Sequence, residues 1–185
     1  MRFLNIVIFA LAITYLSGCI GSGEVAEIKE TKETDHKLPS VTGINLIGEN
    51  IAVPDDLAGD LKLLTIAFQR EQQKDVNTWI EALPAFEKIN TNLHYYEIPV
   101  IYEMNALQRM IVNNGMRSGI PDLEARKRTI TIYTDQKRYI ELIDANVNAI
   151  KTVLLDQKNH IIWEVNGPLT EEKKTALLSI IQPEK

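Results

Sequence analysis

Apolar positions along this chain fall into short blocks of two different periods, and the blocks alternate. Residues 41–53 hold two brief alternating runs around Gly48-Glu49-Asn50, which predicts a hairpin. Residues 54–60 follow as a short turn or helical loop. Residues 61–68 are almost continuously apolar, as suits a central strand covered on both faces. Val76, Trp79, Ile80, Leu83 and Phe86 then recur at three- and four-residue steps, the stripe of an amphipathic helix that Pro84 is expected to kink. A second strand is predicted over 93–98, closed by Pro99. Residues 103–112 read as a helix with Ala106, Leu107, Met110 and Ile111 inward, ended by Asn113-Asn114-Gly115.

After a loop at 117–122 and a helical turn at 123–127, residues 129–133 alternate as a third strand rich in β-branched side chains. A helix over 135–145 turns Tyr139, Ile140 and Ile143 inward. Segments 150–155 and 160–165 flank a polar turn as a second hairpin. Beyond Gly167-Pro168, a last helix capped by Thr170 buries Ala176, Leu177, Ile180 and Ile181. Strands alternating with helices predict an α/β fold: a central mixed sheet, helices on both faces and an N-terminal β-hairpin.

The amino end has a different pattern. Arg2 is the sole charge before an apolar run over 3–16, shorter than the ~20 residues a spanning helix needs. A basic start, a short apolar core and small residues before a cut predict a secretory signal. The ending Leu16-Ser17-Gly18-Cys19 resembles a bacterial lipobox. That resemblance implies removal of residues 1–18 and lipidation, palmitate included, of Cys19. The expected address is the cell envelope, on the periplasmic side of the outer or inner membrane. Ile20, where an Asp would signal inner-membrane retention, favours the outer membrane. Residues 19–40 are small, polar and charged and read as a tether with a reach of ~25 Å, leaving 41–185 as the folded domain.

Charge and cysteine usage narrow the function. The formal charge is -5 over 185 residues, which argues against nucleic acid as a partner. Cys19 is the chain's single cysteine, so no internal disulfide forms even in an oxidising compartment.

A strand-helix-strand unit followed by a strand-strand-helix ending is similar to the thioredoxin-like superfamily. The 45–57 hairpin and the helix interrupted by Pro84 strengthen that likeness. A narrower resemblance is to the thioredoxin-like family related to the mitochondrial ATP-synthase assembly factor. It is carried by Phe68-Gln69-Arg70-Glu71-Gln72-Gln73 with Asp75 and Trp79, by Asn114-Gly115-Met116-Arg117, and by Trp163-Glu164-Val165-Asn166-Gly167-Pro168.

In the superfamily the turn after the first long strand carries a redox dithiol. With Pro84 setting the register, those positions are Val76 and Trp79; counted from the strand end, they are Gln73 and Val76. None is a thiol, and Ile150-Lys151 stands where the superfamily has its cis-proline. Thiol exchange needs a thiolate, so the resemblance implies a redox-inactive member with no cofactor. No Ser/His/Asp or paired-carboxylate spacing nominates another catalytic site, and the chain is not expected to be an enzyme.

The candidate binding surface is Arg70, Glu71, Gln72 and Asp75, with Lys74 beside them and Trp79 and Arg117 completing it. Three readings stay open: a self-paired solvated turn, an edge that binds protein, and an anion site using helix N-terminal N–H groups with Arg70. Met104, Met110 and Met116 with His94 offer soft ligands for copper(I), although six-residue spacing does not put three side chains on one helical face. Arg109, Arg117, Arg126, Lys127, Arg128, Lys137 and Arg138 form a local basic patch suited to anionic lipid, an acidic partner, or plain solvation. His36 and His160 make no ligand pair. The function expected is that of a membrane-anchored protein-binding or assembly module, the alternative being a periplasmic anion- or copper-binding module.

Overall fold

A computed structural model describes residues 28–29 and 36–183. The expected signal, Cys19 and most of the expected tether lie outside the described residues. Ile28–Lys29 (β1), Ser40–Asn45 (β2) and Asn50–Val53 (β3) come first. Leu61–Ala67 (β4) leads through a single 3-10 turn, Arg70–Gln72, into Gln73–Ile89 (α1). Leu93–Tyr102 (β5), Ala106–Gly119 (α2), Leu123–Arg128 (α3), Ile130–Thr134 (β6) and Gln136–Leu142 (α4) follow. Lys151–Leu155 (β7), Ile161–Asn166 (β8) and Glu171–Ile181 (α5) close the chain.

The strands make one mixed sheet in the order β1-β2-β6-β5-β4-β7-β8, with β3 pairing the other side of β2. β4, β5 and β6 are parallel, while β7 runs antiparallel to β4 and β8 to β7. Two cores sit on the two faces of β4. Leu63 packs with Val76, Trp79, Leu83 and Phe86 of α1 and Leu177 of α5. Leu64 and Ile66 pack with Val41, Val53, Tyr139 and Ile143. Burying each such side chain stabilises the fold by about 1.5–3 kcal/mol, so the nearly continuous apolar run of β4 holds both layers together.

Four expectations need correction. The packed domain begins before residue 41: Leu38 is only 2% exposed, and the Ile161 N–H donates to the His36 carbonyl, laying this segment against the start of β8. β5 runs through Pro99 to Tyr102, because its parallel partner changes there from β4 to β6. Ile80 and Ile180 sit at the margins of their helices' apolar stripes and are part-exposed.

The fourth concerns α2, which passes through Asn113-Asn114-Gly115 to Gly119 and is turned over relative to expectation. Leu107, Met110 and Ile111 face solvent, whereas Asn113 is buried. The sheet beneath is polar. Tyr133 donates its hydroxyl to Asn113 Oδ1 at 2.8 Å, Thr131 donates to the Met116 sulfur at 4.0 Å, and the Arg109 guanidinium lies 5.0 Å over the Tyr133 ring. A buried hydroxyl without a partner costs about 1–3 kcal/mol, so the helix turns its polar side inward. Asn105 caps its start by accepting from the Gln108 N–H.

Candidate functional site

At the C-terminal end of β4 the chain must turn from strand to helix while hiding its backbone groups, and Gln72 does this. Its Oε1 accepts from the Phe68 N–H at 2.7 Å and the Gln69 N–H at 3.1 Å. Its Nε2 donates to the Val147 carbonyl at 2.7 Å, in the loop that precedes β7. Gln136 works beside it, donating to the carbonyls of Phe68 at 2.9 Å and Val100 at 2.6 Å. Lys151 is buried, donates to the Ile143 carbonyl at 2.8 Å and pairs with Glu164 at 3.1 Å. Three long polar side chains thus tie together the loops at this end of the sheet. Each buried group is satisfied, which is what makes its burial tolerable.

Below the first turn of α1 lies Glu97, buried in the middle of β5 and level with Thr65 of β4. Desolvation pushes its carboxyl above the usual range, and a hydrogen bond with the Gln73 side chain pulls the other way. Next to it the Tyr95 hydroxyl meets Thr65 Oγ1 at 2.6 Å, and burial followed by the charge of Glu97 drives the tyrosine far up. Sequence reasoning passed over Glu97; the available signal was an acid inside an otherwise apolar strand.

The expected surface residues do not all come together. Arg70, Glu71 and Lys74 are exposed on the turn, with Asp75 half-buried behind them. Gln72, expected outside, is 4% exposed because its amide serves the three bonds described above. Trp79 is fully buried in the core, where its Nε1–H donates to the Gly167 carbonyl at 3.2 Å and its ring meets Trp163 edge-on at 6.1 Å. Arg117 lies elsewhere, its Nε donating to the Leu46 carbonyl past the end of β2 at 2.5 Å. Strands β6 and β5 separate β2 from the β4 strand that launches Arg70. Of the two dithiol registers, Val76 and Trp79 are both core positions, while Gln73 is exposed.

The ligand alternatives meet unfavourable geometry. Gln72 occupies the Phe68 and Gln69 N–H groups that precede the helix, which leaves an anion at this turn only the N–H groups of the helix start and Arg70. Met110 faces solvent while Met116 lies under the same helix against Thr131. His94 is the second residue of β5 and Met104 follows its end, so at about 3.3 Å per residue they stand far apart along the sheet. Among the described residues no three His, Cys, Asp or Glu side chains cluster as a metal site, and no helix is long and apolar enough to cross a membrane. The basic patch is dispersed: Arg128 pairs with Glu87, Lys127 with Glu124, and Arg126 donates to the carbonyls of Ile120 and Arg117.

No protein-family model matches the sequence. No curated protein matches it by sequence either. Solved structures do match. A thiol:disulfide interchange protein from a Bacteroides species superposes with a TM-score of 0.55 at 15% identity, over 82% of this chain and 91% of that one. The thioredoxin domain of a Bacteroides vulgatus thiol-disulfide oxidoreductase gives 0.52 at 15% identity, over 82% and 100%. A thiol-disulfide oxidoreductase from Bacteroides fragilis gives 0.50 at 12% identity, over 78% and 98%. At such identities the likeness establishes the fold, which is thioredoxin-like α/β with a mixed sheet. Those proteins are named for thiol–disulfide chemistry, and this chain has one cysteine.

Proposed function

We propose that this chain is a redox-inactive, thioredoxin-like lipoprotein, held at a membrane by lipid on Cys19 and binding a protein through the exposed edge of Arg70, Glu71, Lys74 and Asp75. The observation that carries the reading is the strand-to-helix turn itself, which the Gln72 amide closes by bridging to Val147, while none of the nearby dithiol positions Gln73, Val76 and Trp79 is a cysteine. Thiol–disulfide exchange proceeds through a mixed disulfide that a second thiol resolves, and Cys19 has no second thiol in this chain. This end of an α/β sheet is still where binding groups gather. Charged side chains of both signs around a turn tied down from below suit a protein surface better than a small molecule.

The resemblance to the ATP-synthase assembly-factor family makes assembly of a membrane complex the form of partnership we favour. Two of the segments carrying that resemblance meet in the fold, since Trp79 contacts both Trp163 and Gly167. The anion- or copper-binding alternative has less support, for the geometric reasons given above.

Two assays on the full-length protein test the anchor and the absence of redox chemistry. Labelled palmitate is expected to enter the wild type and not Cys19→Ser. Insulin disulfides are expected to be reduced no faster than by the reductant alone. A wild type that takes up no label, or turnover that Cys19→Ser abolishes, overturns the reading.

A further inference from the structure

Register sets Glu97 in a buried polar row across the sheet. Thr65 of β4 is its partner on one side and Thr129, just before β6, on the other. Thr152 of β7 continues the row opposite Thr65. Glu97 is 6% exposed and each threonine 3% or less. Positions two apart on a strand share a face, so Glu97 lies on the side of Tyr95 and Thr65 on the side of Leu63, in the core beneath α1. The hydroxyls beside the acid are occupied: Thr65 meets Tyr95 at 2.6 Å, and Thr129 donates to the Ala125 carbonyl at 2.9 Å.

Among the described residues no cation offsets the burial of this carboxyl. Tyr95 shares its strand, and burial holds the proton on that hydroxyl. On α1, Lys74 is exposed, Asp75 is half-buried and Glu87 pairs with Arg128, which precedes β6, at 3.5 Å. On β4, Lys62 donates to the Asp156 carbonyl at 3.1 Å, at the opposite end of the strand from the edge. On β7, Lys151 neighbours Thr152 and so points to the other face, where it pairs with Glu164. On α2, Arg109 lies over the Tyr133 ring.

Gln73 connects the acid to the Arg70 edge. Its side chain hydrogen-bonds the Glu97 carboxyl from an exposed position, so it stands between the acid and solvent. Its backbone N–H donates to the Arg70 carbonyl and closes the single 3-10 turn that carries Arg70 and Glu71. Its amide also donates to Asn77 Oδ1 at 3.1 Å, one turn along α1. A buried carboxylate without water or a cation is costly, so ionisation of Glu97 favours any rearrangement that admits water.

We propose that Glu97 is a proton-operated latch for residues 69–75, which keeps the turn closed while it is protonated and loosens it through Gln73 when it ionises. Water reaches the carboxylate by displacing Gln73, and the turn that Gln73 closes opens with it. Because burial favours the protonated acid, the turn is closed at low pH and opens as pH rises above the ordinary carboxyl range. The latch itself stands on this geometry; its control of a partner rests on the protein-binding reading of the Arg70 edge.

The test measures peptide-resolved hydrogen exchange of the full-length wild type and Glu97→Gln between pH 5 and pH 8. The ratio of the two rates at one pH removes the intrinsic pH dependence of exchange. Over 68–78 that ratio is expected to rise with pH at least about threefold more than in β7 and α5. A flat ratio over 68–78 overturns the latch, and so does an equal rise in β7 and α5, which marks uniform destabilisation. Carbon-13 shifts of the Glu97 carboxyl follow its proton directly, and a carboxyl already ionised at pH 5 overturns the latch as well. Affinity capture from membranes at the same two pH values reads the consequence: the wild type is expected to lose its partner at pH 8 and Glu97→Gln to keep it. Local opening with pH-independent capture overturns the control of binding. Local opening with no discrete partner at either pH overturns the protein-binding reading and leaves the latch standing.

Discussion

The side-chain amide of Gln72 stands 2.7 Å from the carbonyl oxygen of Val147 and joins the turn after β4 to the loop before β7. The same amide accepts from Phe68 and Gln69, so one side chain settles three backbone groups that the turn would otherwise bury unpaired. Gln72→Leu keeps the bulk and removes all three bonds. It is expected to destabilise the fold by about 2–4 kcal/mol. Urea titration checks this: the midpoint should fall while the slope stays constant.

Trp79 and Arg70 should separate core from surface. Trp79→Ala empties a site in the α1 core and is expected to cost about 3–5 kcal/mol, and Trp79→Phe about 1–2 kcal/mol through loss of the bond to Gly167. Arg70→Glu should change stability by no more than about 0.5 kcal/mol, since its side chain is exposed. Thermal denaturation of the three variants reads the difference.

Most of the fold was legible because its strands and helices differ in hydrophobic period. β4 reads as buried on both faces from Leu63, Leu64 and Ile66 alone, and α1 from Val76, Trp79, Leu83 and Phe86. α2 was misread for a physical reason. Leu107, Met110 and Ile111 made the stronger apolar stripe, but the sheet beneath presents Thr131 and the Tyr133 hydroxyl, which Met116 and Asn113 must meet. Pattern along a helix does not show what lies opposite it.

The position of the candidate edge was legible and the burial of its members was not. Arg70 to Asp75 fell where expected, at the strand-to-helix turn. Nothing in the string Arg70-Glu71-Gln72-Gln73 shows that the third residue points inward, because its acceptor at Val147 is 75 positions away. Trp79 matched the binding surface by resemblance and the core by periodicity, and the periodicity prevailed.

Arg117 ties the end of α2 to the hairpin through Leu46, and Arg126 ties the next loop to Arg117. Arg117→Ala should lower global stability by about 1 kcal/mol. Hydrogen exchange should quicken in α2 more than in β4, because the segment opens on its own once released. Peptide-resolved exchange of the wild type and variant distinguishes this local effect from a uniform loss.

Glu97 gives the fold a pH dependence of known sign. Burial raises its pKa, so the folded state holds the proton at pH values where the unfolded chain has released it. The stability this contributes is complete below the ordinary value of 4.5 and is lost as pH rises through the raised folded pKa. Glu97→Gln should therefore be more stable than the wild type at pH 8, with the advantage shrinking toward pH 4. Denaturation midpoints of both proteins across that range test the sign; a wild type that gains on the variant as pH rises would show that a cation stabilises the carboxylate.

The most direct measurement is mild crosslinking and affinity capture from membranes, comparing wild type with Arg70→Glu, Glu71→Lys and Trp79→Phe. A protein-binding edge predicts a discrete partner with the wild type, lost on charge reversal at Arg70 or Glu71 and retained by Trp79→Phe, whose substitution lies in the core. A partner captured equally by the charge-reversed variants, or no discrete partner from membranes that retain the protein, would contradict the proposed edge.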